Sequence, residues 1–167
     1  MRDTPVIKGA SDASRLRVGI IVSEYHASVT GALREGALAA LQHAGASVDG
    51  KTVTIITVPG AFEIPFAAHR AAKTGAFDAL VCLGCVIRGE TPHFEYIASA
   101  VAHGITTAAQ STGVPITFGV LTTNSKEEAD ARAGEGCSNK GWEAAMAAVQ
   151  LANVARTLPS IEGGARK

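Results

Sequence analysis

The feature that most constrains this chain is the apolar run Ala79 to Ile87 and the abrupt polar turn at its end. ALVCLGCVI holds no charged residue and is rich in Val, Leu and Cys, the pattern of a strand buried on both faces of a parallel sheet. The polarity then changes at RGETPHFEY. Arg88, Gly89 and Glu90 read as a turn, Thr91 stands where an N-cap hydroxyl belongs, and Pro92 falls at the first helical position, where its missing N–H costs nothing. His93 is therefore expected in the first turn of a helix, beside unpaired backbone N–H groups and the positive end of a helix dipole, a combination that holds anions. The same junction also serves as a plain connector in many α/β proteins, and a lone His at a helix start is often only a solvated side chain.

The remainder of the chain alternates in the same way. Leu16–Val22 reads as a buried strand. Ser28–Ala44 carries Val29, Leu33, Ala37 and Leu41 at helical spacing, with Gly45 as its stop. Val53–Val58 is a strand, Pro59 and Gly60 turn the chain, and Phe62–Lys73 is a helix. After the central strand come a helix over Pro92–Gln110, a strand over Pro115–Val120 and a polar loop through Ser125. A short helix, Lys126–Ala133, and a long Ala-rich one, Gly141–Leu158, close the chain, the latter expected to stop at Pro159. Strands alternating with helices predict a three-layer α/β/α sandwich around a mainly parallel four-stranded sheet with right-handed crossovers. One domain over 15–158 is expected, between a flexible arm (1–14) and a C-terminal tail (159–167).

In open α/β sheets, ligands sit beyond the carboxyl ends of the strands. The loops that should gather there are Ser23–Ala27, Pro59–Glu63, Arg88–His93 and Leu121–Ser125. Each holds residues that are odd choices for connectors, although Tyr25 could simply cover the sheet edge and Glu63 could simply complement a helix dipole.

Composition narrows the function further. Lys+Arg and Asp+Glu are each 15, so the formal net charge is zero, and the basic footprint of nucleic-acid binding is missing. No stretch approaches the ~20 apolar residues of a membrane span, and the opening MRDTPVIKGASDASRLR has no apolar core of a secretory signal. A soluble cytoplasmic protein is expected. With 47% hydrophobic residues, little net charge and Ala-rich helices, association with other protein surfaces is also expected. Cys82, Cys85 and Cys137 make an odd count, which argues against a disulfide framework. Cys82 and Cys85 match C-x-x-C, but residues three apart on a strand point to opposite faces. Cys82 is read as core and Cys85 as pocket wall. The five histidines show no zinc-ligand spacing. GEGCSNKG (Gly134–Gly141) is not a nucleotide-binding P-loop, because Asn139 and Gly141 stand where that motif needs Gly and Ser or Thr.

The segment GCVIRGETPHFEYI resembles the signature of the lumazine synthase family, whose members make the penultimate compound of riboflavin biosynthesis. VPGAFEIP (Val58–Pro65), GVLTT (Gly119–Thr123), RAG (Arg132–Gly134) and NKGWE (Asn139–Glu143) resemble the family's other motifs in the same order, so the likeness spans Arg17 to Leu158. It implies a flavodoxin-like sandwich and a homopentamer. It also implies an enzyme that condenses 5-amino-6-(D-ribitylamino)uracil with 3,4-dihydroxy-2-butanone 4-phosphate. An amine attacks the ketone to form a Schiff base, phosphate is eliminated, and the ring closes with loss of water to give 6,7-dimethyl-8-ribityllumazine. No metal or redox cofactor enters that chemistry.

The resemblance assigns roles residue by residue. Tyr25 stands where the family has an aromatic, usually Phe or Trp, that stacks on the pyrimidinedione, and stacking needs only a π face. His26 stands where many members carry Asn. Glu63 matches the carboxylate that accepts from the ribityl hydroxyls, with backbone groups of Ala61 and Phe62 beside it. Cys85, Val86 and Ile87 complete the pyrimidine site. Gly89, Glu90, Thr91, Arg132 and Lys140 bind the phosphate, for which a planar guanidinium is well suited. His93 shuttles protons, since an ordinary imidazole titrates near ~6.5. The resemblance implies that Phe118 and Arg132 complete the pocket of an adjacent subunit. Its cage-forming members have a compact turn between RAG and NKG, as here, so an icosahedral shell of twelve pentamers is expected over a free pentamer. The alternatives are an archaeal-type riboflavin synthase, or a flavin-binding or shell protein on the same fold.

Overall fold

The computed structural model of the chain describes residues 4–162, so residues 1–3 of the expected arm and 163–167 of the expected tail lie outside the described residues. The elements run β1 (Val18–Ser23), α1 (Ala27–His43), β2 (Val53–Val58), α2 (Ile64–Ala72), β3 (Ala79–Ile87), α3 (His93–Thr112), β4 (Ile116–Thr123), α4 (Lys126–Arg132) and α5 (Lys140–Glu162). A single 3₁₀ turn, Ala61–Glu63, leads into α2. The four strands form one parallel sheet in the order β2-β1-β3-β4. This is the α/β sandwich that the alternation predicts.

The central strands explain themselves by burial. Every residue of β1 is buried, and so are the first seven of β3. Alternate side chains feed two separate cores. Val18, Ile20, Val81 and Leu83 pack with Leu33, Leu41, Ala145 and Val149 beneath α1 and α5. Ile21, Leu80 and Cys82 pack with Ile64, Ala68, Val101 and Ile105 beneath α2 and α3. Truncating Leu83, fully buried, to Ala would cost about 2–5 kcal/mol. Cys82 and Cys85 fall into opposite cores, as the strand period requires. Burial pushes the Cys82 thiol up to about 12.

Several boundaries differ from those the sequence predicts. β4 runs on to Thr123 because Leu121, Thr122 and Thr123 keep pairing with Cys85, Val86 and Ile87, so the polar loop shrinks to Asn124 and Ser125. Ser125 caps α4, its hydroxyl accepting from the Glu128 N–H at 3.2 Å. The third helix starts at His93 with Pro92, not Thr91, at the N-cap, and no side chain caps it. Pro92 has φ −68° and ψ 3°, already turning into the helix, which moves the helix start one residue past the proline. The last helix passes through Pro159 to Glu162. Proline deletes one backbone bond there, yet its fixed φ is itself helical, so the final turn continues.

The amino-terminal segment is held by its own chain from residue 9 onward. A Cβ on Gly9 would collide with the Gln150 carbonyl. The Asn153 amide donates to the carbonyls of Ala10 and Asp12, each at 2.9 Å. The Ala13 N–H bonds the Ala44 carbonyl at 2.7 Å, and Ala13 is fully buried. Small residues at 9, 10 and 13 allow this close approach, where composition alone suggests a flexible arm.

Candidate active site

Beyond the carboxyl ends of β1, β2 and β3 lies a cavity of about 510 Å³. Three loops build it. The β1 loop is pinned to the β2 loop by the Glu24 and Tyr25 N–H groups, which donate to the carbonyls of Val58 and Pro59 at 2.8 and 3.1 Å. Tyr25 consequently stands out over the cavity, 68% exposed. The His26 ring lies edge-on to it, centroids 4.6 Å apart and planes at 65°. His26 has φ 59° and ψ 47° and is the only non-glycine with positive φ among the described residues. That left-handed conformation is tolerated best by Asn, Asp and Gly, with His behind them.

From β2 come Gly60, Ala61, Phe62 and Glu63. A Cβ on Gly60 would lie 2.9 Å from the Glu63 carboxylate, so glycine leaves room for that carboxylate to fold back over the loop. From β3 come Cys85, Val86, Ile87, Arg88, Gly89 and Thr91, and from α3 His93, Phe94 and Ile97. The Arg88 N–H is taken by the Thr123 carbonyl at 2.9 Å, but the amides of Gly89, Glu90 and Thr91 have no partner among the described residues. With α3 also lacking a side-chain cap, this turn presents a row of free donors. Glu90 lies on an adjoining cleft of about 220 Å³ rather than in the main cavity.

Arg88, Phe94 and Ile97 line the main cavity too; they lie within the signature segment, but no role is read for them from the sequence. The Arg88 guanidinium sits 5.2 Å from the Phe94 ring centroid and 3.8 Å from the Glu95 carboxylate. Its position at the end of the central strand was the available signal. Cys85 is buried. Desolvation, reinforced by the Asp130 carboxylate, pushes its thiol up to about 11, so it is a neutral wall of the site at neutral pH.

Phe118, Arg132 and Lys140 are not in this cavity. They line a second one, about 490 Å³, along the exposed edge of β4 and under α5. Phe118 is 45% exposed there. Arg132 donates to the Glu128 carbonyl of its own helix at 2.9 Å, and Lys140 pairs with Glu143 at 2.7 Å. The two cavities share no residue.

Fold and site together define an α/β protein with a small-molecule cavity at the carboxyl edge of its sheet and aromatic, acidic and imidazole groups around it. The family model described as 6,7-dimethyl-8-ribityllumazine synthase matches residues 15–156. A curated relative, the 6,7-dimethyl-8-ribityllumazine synthase of Syntrophus aciditrophicus (strain SB), is 46% identical over 153 residues, covering 92% of this chain and 98% of its own. The chain belongs to the 6,7-dimethyl-8-ribityllumazine synthase family, transferases of riboflavin biosynthesis.

Proposed function

We propose that this chain condenses 5-amino-6-(D-ribitylamino)uracil with 3,4-dihydroxy-2-butanone 4-phosphate to 6,7-dimethyl-8-ribityllumazine, releasing phosphate and water, in a site shared between adjacent copies. The pyrimidine stacks on Tyr25 against Cys85, Val86 and Ile87. Its ribityl chain lies along Ala61 and Phe62 and donates to the Glu63 carboxylate. The phosphate meets the free amides of Gly89, Glu90 and Thr91, and the cations Arg132 and Lys140 of the neighbouring copy, whose Phe118 closes the ring site. His93 moves protons during Schiff-base formation and closure of the new ring, while the site holds amine and ketone at high effective concentration.

The observation that carries the shared site is the division of the expected residues between two cavities with no residue in common. A ring of copies in head-to-tail contact would bring one cavity of each chain against the other cavity of the next. Exposed apolar residues support association: Phe66 and Tyr96 are 75% and 73% exposed, and α3 buries only Val101, Ile105 and Ala108. We read the assembly as a pentamer in the cytoplasm, with the compact 134–139 turn favouring the closed shell of twelve. Light scattering at micromolar protein checks this, and a particle of pentamer mass overturns the shell. No described helix is long and apolar enough to cross a membrane. Activity is tested by supplying both substrates and following lumazine absorbance and fluorescence. Absence of product from folded, assembled protein overturns the assignment.

A further inference from the structure

We propose that Asn139 is a positioning residue that fixes Arg132 and Lys140 relative to each other for a phosphate monoester; the inference rests on the reading of the β4 cavity as the phosphate end of the site. The Asn139 side chain is buried, 3% exposed, and all its polar capacity is used. Its amide nitrogen donates to the carbonyls of Ala32 at 3.1 Å, Ala133 at 3.0 Å and Gly134 at 2.9 Å. Its oxygen accepts from the N–H groups of Gly141 at 2.7 Å and Trp142 at 3.3 Å.

The connectivity gives this knot its meaning. Ala133 directly follows Arg132, and Lys140 directly follows Asn139. The amide therefore grips the main chain one residue away from each cation, while the loop between them, 134–138, is exposed. The third acceptor, Ala32, anchors the pair to α1. The packing leaves no slack: a Cβ on Gly36 of α1 would collide with the Asn139 amide, and one on Gly141 with the Leu33 carbonyl. A helix cap alone would need only the two bonds to the oxygen, which Asp or Ser also make. The two N–H groups of an amide, one of them shared, reach all three carbonyls, which a carboxylate, lacking donors, does not do. Two cations on separate helices bind one phosphate well only when their spacing is set before the ligand arrives.

The test uses the intact assembled enzyme, well below the melting temperature of each variant. Asn139→Asp keeps the cap and replaces the donating amide by an acceptor that repels the same three carbonyls; Gly36→Ala pushes on the same amide from α1 without touching either cavity. Both are expected to raise the KM for the butanone phosphate, and the inhibition constant of inorganic phosphate, about ten-fold. The KM for the pyrimidine should stay within about two-fold. A fall in melting temperature with both KM values and phosphate inhibition unchanged would show a purely structural knot and overturn the proposal. Should Asn139→Asp not fold, Gly36→Ala carries the same test alone. Arg132→Ala separates the two layers. If it raises the KM for the butanone phosphate and the Asn139 and Gly36 variants do not, positioning is wrong and the site reading stands; if it leaves that KM unchanged, both fall.

Discussion

The two ends of the sheet are built to opposite rules. At the amino end, Asp78 accepts from the Arg17 N–H at 2.7 Å and from its guanidinium at 3.2 Å, and Arg156 approaches it at 3.3 Å. Arg156 also donates to the Arg15 carbonyl. Strand starts, the amino-terminal segment and α5 are thus tied together, with one carboxylate shared between two guanidiniums. At the carboxyl end, aromatics stand in the open, three successive amides lack partners among the described residues, α1, α2 and α3 start without a side-chain cap, and a histidine holds a left-handed backbone. A chain able to satisfy its polar groups at one end and leaving them open at the other marks the open end as the place where a ligand supplies the missing partners.

The contrast between the ends can be broken most severely at His93. His93→Ala should lower kcat about 10²-fold, the lower part of what acid-base help contributes, because bound amine and ketone remain close enough to react. If the KM for the phosphorylated substrate alone rises, His93 is an anion ligand and no proton shuttle. Next is Arg132→Ala, which should raise the KM for the butanone phosphate about ten- to a hundred-fold, the equivalent of a charge-assisted contact of roughly 1.5–3 kcal/mol. Steady-state kinetics with each substrate varied in turn separates the two effects.

The amino end should respond in stability and not in rate. Asp78→Asn is expected to cost about 1 kcal/mol at pH 7, since Arg17 is half exposed and solvent weakens the pair. Desolvation raises the Asp78 carboxyl, but the Arg17 hydrogen bonds and the charges of Arg17 and Arg156 outweigh it and hold the group below its ordinary range. A depressed carboxyl stabilises the fold above its unfolded value, ~3.9, and loses that contribution as pH falls through the folded value. Urea melts of wild type and variant should therefore differ at neutral pH and converge under acid conditions, with kcat/KM unaltered. The smallest effect is expected for His26→Asn. Asn tolerates the left-handed backbone better, so this change should gain about 0.5 kcal/mol; thermal melts decide.

Much of the fold was legible because burial writes itself into a strand: Val53–Val58 and Ala79–Ile87 stand where the apolar pattern put them. Boundaries set by pairing partners were not. Thr122 and Thr123 look polar until their register with Val86 and Ile87 is known. The loops of the site were legible as strand ends, and Tyr25, Glu63 and His93 do meet around one cavity. Asn139 was visible in the sequence only as the first residue of NKGWE and as a departure from the P-loop pattern. Its contact with Ala32, 107 residues away in sequence, depends on how α1 packs on α5, which no local pattern records.

The shared site is tested most directly with mixed assemblies. Glu63→Ala and Arg132→Ala chains, each weak alone, are unfolded together and refolded at equal amounts. If one chain supplies Glu63 and its neighbour Arg132, about a quarter of randomly formed interfaces pair two intact halves. Activity should then rise well above that of either variant refolded separately. Assemblies verified to contain both chains, yet no more active than their parents, would contradict a site built between copies.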